Sequence, residues 1–212
     1  MSRKSGLSHP FDRKGFTLVE LLVAMAVVGV VLGAIYGIFI SSNRSYHTQD
    51  SVAEAQQGVR LGLAFMVRNM RMAGLDPIGP ANDSVDGHGA GIKEATSAKI
   101  RFTADMDLDG TIEESDSERI TYEYDAGNRR LEQCLYEGTG SESTQTVITN
   151  VSALAFSYLD KDGNNLTVPV SASDLEDVRA VAISMTCQGV DGHGKNFTRT
   201  LNTRVICRNL SL

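Results

Sequence analysis

Between Phe16 and Ile40 the chain carries one charged side chain, Glu20, in an otherwise unbroken apolar run. As a helix rising about 1.5 Å per residue, this run outspans a hydrocarbon core of roughly 30 Å, so it is expected to cross a bilayer. Four cations, Arg3, Lys4, Arg13 and Lys14, precede it against the single acid Asp12. Cationic flanks stay preferentially in the cytoplasm, which puts the N-terminus inside and the chain from about Ser41 onward outside. A secretory signal would have a shorter apolar stretch followed by small residues at its cleavage site. Here the distinctive residues stand before the run.

The remainder is polar and acidic. Removing the first 15 residues, with their four cations and one acid, takes the formal net charge from -6 to -9. Phosphate backbones repel such a body, and the only clustered cations are the pairs Arg68 and Arg71 or Arg129 and Arg130, so nucleic acid is not an expected partner. A length of 212 residues suits one domain plus an accessory element. Cys134, Cys187 and Cys207 show no CxxC pair and no metal-ligand spacing. In an exported domain two of them could form a disulfide, but spacing does not assign the pair.

Helix signals continue past Ile40 without proline. Val52, Ala55, Val59, Leu63, Met66, Met70 and Ala73 recur at three or four residues, a stripe suited to packing on a sheet. Arg68 and Arg71 favour the negative helix end, Gly74 suits the residue just past it, and Pro77 prevents resumption. One helix from about Thr17 to Met72 is expected. Residues 75 to 96 read as a long connecting loop in which His88 is solvent-facing. Seven β-rich runs then alternate with turns: 99–103, 119–124, 130–136, 151–159, 166–170, 178–187 and 197–207. Asp125-Ala126-Gly127-Asn128 and Asp160-Lys161-Asp162-Gly163-Asn164 read as hairpin turns. A hairpin around Asp191 would set Cys187 opposite roughly Phe197. The class is α+β, a long helix on a mostly antiparallel sheet.

Lys14-Gly15-Phe16-Thr17-Leu18-Val19-Glu20-Leu21-Leu22 resembles the prepilin processing motif of type IV pilins and type II secretion pseudopilins. The resemblance implies the type IV pilin fold, with a leader of residues 1–15, a transmembrane or filament-core half-helix of 16–40, an amphipathic half of 41–74, and a loop and β domain of 75–212. It implies cleavage by a prepilin peptidase between Gly15 and Phe16 and N-methylation of Phe16. Glycine lets a protease approach the backbone closely. It further implies that Glu20, whose carboxylate costs about 2.5–3.5 kcal/mol in a bilayer helix, faces the cationic amine of a neighbouring subunit. Gly29, Gly33 and Gly37 form overlapping GxxxG patterns, which suit close helix packing and also match the general enrichment of glycine in membrane helices. Many major pilins carry a proline near the position of Gly37, and this chain does not. The helix-then-sheet order, the acidic loop before Glu118-Arg119-Ile120-Thr121-Tyr122 and the late Tyr158-Leu159-Asp160-Lys161-Asp162-Gly163 look like a PilW-type minor pilin. J-type pseudopilins are similar. Implied partners are other minor pilins, the major pilin, the prepilin peptidase, a tip-located adhesin, and the membrane before assembly. An adhesin or receptor role for the sheet domain stays open.

Asp105-Met106-Asp107-Leu108-Asp109-Gly110-Thr111-Ile112-Glu113 matches the first nine positions of an EF-hand loop, with oxygens where calcium wants them and glycine at position six. Asp116 stands at position twelve, where the bidentate Glu belongs, and the flanks read as strands. A calcium site and a solvated acidic turn both fit this pattern. Catalysis is not expected, because G-x-S-x-G, HExxH, P-loop and Rossmann patterns do not occur.

Overall fold

The chain is described by a computed structural model covering residues 15–78, 82–83, 89–113, 117–190 and 194–211. It divides into two compact units, Met1–Tyr46 and His47–Leu212. A single helix, α1, runs from Leu18 to Met70, within two residues of the expected span. It stops at Met70 because the next turn ends in Gly74, whose φ of 77° lies in the left-handed region that only glycine adopts freely. Gly74 N–H donates to the Thr103 carbonyl at 3.0 Å, so the helix end is tied to the sheet. A Cβ there would also collide with Leu210.

Among the described residues ten strands follow: β1 (Asn82–Asp83), β2 (Ile92–Ala95), β3 (Lys99–Thr103), β4 (Thr111–Ile112), β5 (Arg119–Asp125), β6 (Arg130–Leu135), β7 (Ser143–Ile148), β8 (Val151–Leu159), β9 (Ala180–Val190) and β10 (Asn196–Ile206). They form a five-stranded sheet in the order β2-β3-β5-β6-β7, a three-stranded sheet β10-β9-β8, and a two-residue ladder β1-β4. The two larger sheets are antiparallel throughout, whereas β1 and β4 pair in parallel. The α+β expectation holds.

In the second unit the helical stripe does the packing. Val59, Leu63, Met66, Met70 and Ala73 are buried in one core with Phe102, Tyr122 and Leu131 of the larger sheet and Phe156, Val181, Ile183 and Met185 of the smaller one. Burying each large side chain contributes about 1.5–3 kcal/mol. Gly62 lets the helix approach β7, since a Cβ at that position would overlap the Ile148 side chain. A polar chain running from the buried Tyr122 and Gln133 out to the exposed Gln145 adds direction: Asn69 Nδ2 and Gln133 Nε2 donate to the Tyr122 hydroxyl at 2.8 and 3.2 Å, and Gln145 Nε2 donates to Gln133 Oε1 at 2.6 Å. A hydroxyl stripped of partners in this core would cost about 1–3 kcal/mol.

Several expectations need correcting. Residues 75–96 are not one loop, because β1 and β2 lie within them. Ile92-Lys93-Glu94-Ala95 carries two charges in four residues, and pairing with β3 makes it a strand. Ser143–Ile148 was absent from the expected strands and forms β7, an edge with little apolar content of its own. Residues 166–170 are not a strand. Pro169 has no N–H to offer a ladder, and the segment instead attaches at its two ends, Leu166 N–H to the Tyr158 carbonyl and Val170 N–H to the Ala95 carbonyl, each at 2.9 Å. Cys134, Cys187 and Cys207, among which a disulfide could form, are all free and buried. Cys187 faces Arg199, and Cys207 N–H bonds to Arg179, eight residues back along the strand from Cys187, roughly 25 Å. Cys134 sits on the other sheet opposite Thr121. His88 and Asp116 lie outside the described residues.

Candidate functional site

The N-terminal segment is built from its first turn upward. Thr17 precedes the helix, its Oγ1 accepts the Glu20 N–H at 3.2 Å, and Glu20 Oε2 accepts the Thr17 N–H at 2.8 Å and hydroxyl at 3.0 Å. This is a reciprocal capping box, which satisfies two helix N–H groups that would otherwise lack partners. Glu20 therefore has a local duty that the sequence reading overlooked, although T-x-x-E before an apolar run signals it. Both hydrogen bonds fall on one oxygen, leaving Oε1 with accepting capacity for a cation. The stretch from Gly15 to Phe39 is exposed throughout. Gly15 and Phe16 stand outside the helix, with Phe16 91% exposed and nothing within 4 Å of a Cβ built on Gly15. The same holds for Gly29, Gly33 and Gly37, which meet nothing within 4 Å in the isolated chain. Leu18–Asp50 is long and apolar enough to cross a membrane.

In the acidic loop one oxygen each of Asp105, Asp107 and Asp109 lies within 4.8 Å of the others. Asp105 is buried and receives the Leu108 N–H on Oδ1 at 2.7 Å and the Gly110 N–H on Oδ2 at 3.0 Å. Asp107 Oδ1 accepts the Asp109 N–H at 3.1 Å, and Asp109 Oδ1 accepts the Thr111 N–H and hydroxyl at 2.8 and 2.7 Å. The Thr111 bonds hold the Asp109 carboxyl below its ordinary range. Thr111 Oγ1 also approaches Glu113 Oε1 at 3.3 Å. All these donors are hard oxygens, the ligand type calcium takes. Buried Glu118, which the sequence marks only as the residue following the acidic loop, closes that loop: it accepts the Met106 N–H at 2.6 Å and the Glu113 N–H at 2.9 Å. The carboxylates thus organise the loop on its own amides.

A second charged cluster was not legible in the sequence, since its members come from β2, β3 and the segment after β6. Glu137 meets Lys99 Nζ at 2.5 Å, Arg101 Nη2 at 2.6 Å and the Thr121 hydroxyl at 2.8 Å, while Glu94 lies 3.3 Å from both cations. Burial pushes the Glu137 carboxyl up, but hydrogen bonds from Lys99, Arg101 and Thr121 more than offset that and bring it to about 2. The cluster is a clamp across β2, β3 and β5.

Comparison with known proteins places the N-terminal segment. Residues 11–36 match the prokaryotic N-terminal methylation motif. The pilin-like protein PilA3 of Thermus thermophilus is 26% identical over 178 residues, 76% of this chain and 74% of that protein. Together with the long helix and antiparallel sheets, these findings support a type IV pilin-like protein. That nature supports processing by a prepilin peptidase, anchoring in a membrane through the apolar helix before assembly, and assembly with other pilins.

Proposed function

We propose that this chain is a PilW-type minor pilin, an assembly and initiation subunit of a type IV pilus and not a catalyst. Residues 1–15 are the leader, held in the cytoplasm, and a prepilin peptidase cuts between Gly15 and Phe16 and methylates the new amine. The carboxylate of Glu20 then meets the Phe16 amine of a neighbouring subunit, while the body from Ser41 onward projects into the periplasm and later onto the filament. The observation that carries this reading is the exposed apolar half-helix with a single carboxylate fixed at its first turn. An exposed stripe this long has to be covered by lipid or by other helices, and inside either a lone carboxylate calls for a cation. Gly29, Gly33 and Gly37 allow the covering helices to come close.

Co-expression with a prepilin peptidase tests the first step. The product should lose 15 residues and carry N-methyl-Phe16, and Gly15→Leu should leave the leader in place, both read by intact mass. An uncut wild-type chain would contradict the proposal. Deleting the gene in its native background separates roles at the next step: fewer filaments mark an initiating minor pilin, abundant filaments without attachment mark an adhesin, and lost protein secretion marks a J-type pseudopilin.

A further inference from the structure

The sheet edges of this molecule are treated differently. β2 is four residues long, carries a bulge between Ile92 and Glu94, and is met by Val170. The outer side of β8 is also occupied: Leu166 N–H bonds to the Tyr158 carbonyl, Phe156 N–H bonds to the Ser97 carbonyl, and Leu159 bridges Asn165. β10 runs eleven residues, pairs with β9 without a register shift, and among the described residues has no strand on its other side. Long edges without a bulge or a covering segment are templates for strand addition, and charge on such an edge selects what can add.

Burial falls away toward that edge. On the core face, Phe156 and Tyr158 of β8 and Val181, Ile183 and Met185 of β9 are buried, whereas on β10 only Val205 is, Phe197 and Leu201 being half-covered. Charge changes as well. Residues 47–194 hold 24 acids against 11 Lys and Arg, but from Lys195 to Leu212 there are four cations and no acid. Arg199 and Arg204 are exposed, occupy opposite faces of β10, and among the described residues have no ion-pair partner. Two such edges brought together would set like charges against each other, while an acidic strand would match them.

We propose that the free edge of β10 is a strand-addition site that takes an extended acidic segment of a neighbouring filament subunit. Main-chain hydrogen bonds supply affinity, Arg199 and Arg204 select carboxylates on the two faces of the added strand, and the half-covered Phe197 and Leu201 gain cover. This rests on the pilin-like assembly reading above.

The test uses the full chain in cells that assemble the filament, with a photo-crosslinking residue at Asn202, between the two arginines, and a control at exposed Glu123 on β5. The Asn202 probe should capture an acidic segment of another filament subunit, mapped by mass spectrometry, and the control should not. Arg199→Glu with Arg204→Glu should lower the yield at least about tenfold, and lysine at both positions should preserve it. Capture of lipid, of a second β10 or of the chain itself alone, or a yield indifferent to charge reversal, overturns the proposal. Leader removal measured in the same sample keeps the two readings apart. A processed, incorporated chain without the Asn202 product removes only the β10 site, and an intact leader in an unincorporated chain removes both.

Discussion

The two halves of α1 have the same backbone and opposite sources of stability. Between Leu18 and Phe39 every large apolar side chain is exposed. Between His47 and Met70 one stripe is buried under two sheets, with Met66 and Met70 fully covered. Helical hydrogen bonding is common to both, so what differs is the solvent each half is made for. The first half is apolar around its whole circumference, as a helix in lipid or in a bundle is, and the second is apolar on one face only. In the filament subunit proposed above this division has a use, since the first half changes surroundings while the second keeps its domain intact.

Replacing Glu20 should break the comparison most severely. Glu20→Ala is expected to abolish incorporation into filaments while the melting of the sheet unit stays unchanged, as measured on sheared filaments and on the purified chain in detergent. Thr17→Ala removes the capping partner but keeps the carboxylate, so it should assemble. Equal loss in both variants would reduce Glu20 to a cap.

The next effect separates the halves by stability. Met66→Ala opens a cavity in a fully buried position and should destabilise the sheet unit by about 2–5 kcal/mol, lowering Tm by roughly 5–15 °C. Val27→Ala, in the exposed half, should change the same transition by less than about 0.5 kcal/mol. Similar shifts from both would mean that the two halves share one cooperative unit.

A smaller effect belongs to the clamp on the larger sheet. The Glu137 carboxyl lies at about 2 in the folded chain against an ordinary 4.5. Its stabilisation is therefore complete above pH 4.5 and is lost as the pH falls from there toward 2. After allowance for screening at a partly exposed site, Glu137→Gln should cost about 1–2 kcal/mol at neutral pH. The difference from wild type should vanish near pH 2, as followed by thermal melts across that window.

Calcium should have the smallest effect. A cation held by Asp105, Asp107 and Asp109 at ten times its Kd adds about 1.4 kcal/mol, or roughly 3–5 °C of Tm. Asp109→Asn should lose that rise. Identical melts with and without millimolar calcium would leave the triad as a turn closed on its own amides.

Much of this was legible because it is local. Spacing alone located the helix, its end at Gly74, its buried stripe and most of the strands, since each depends on side chains a few residues apart. The capping box is equally legible in Thr17 and Glu20, three residues apart at the start of an apolar run. β2, β7, Glu118 and the Glu137 clamp were not legible. Their stability comes from partners distant in sequence, and a four-residue strand with two charges carries no periodicity of its own.

By itself the sequence determined that an apolar rod with one carboxylate precedes an acidic β domain, because hydropathy and local periodicity act over a turn of helix or a pair of strand residues. Only the tertiary structure decided that the cysteines stay apart, that the acidic loop closes on Glu118, and that β10 is left as a long cationic edge. Those are matters of register and sheet order, which depend on how remote segments meet.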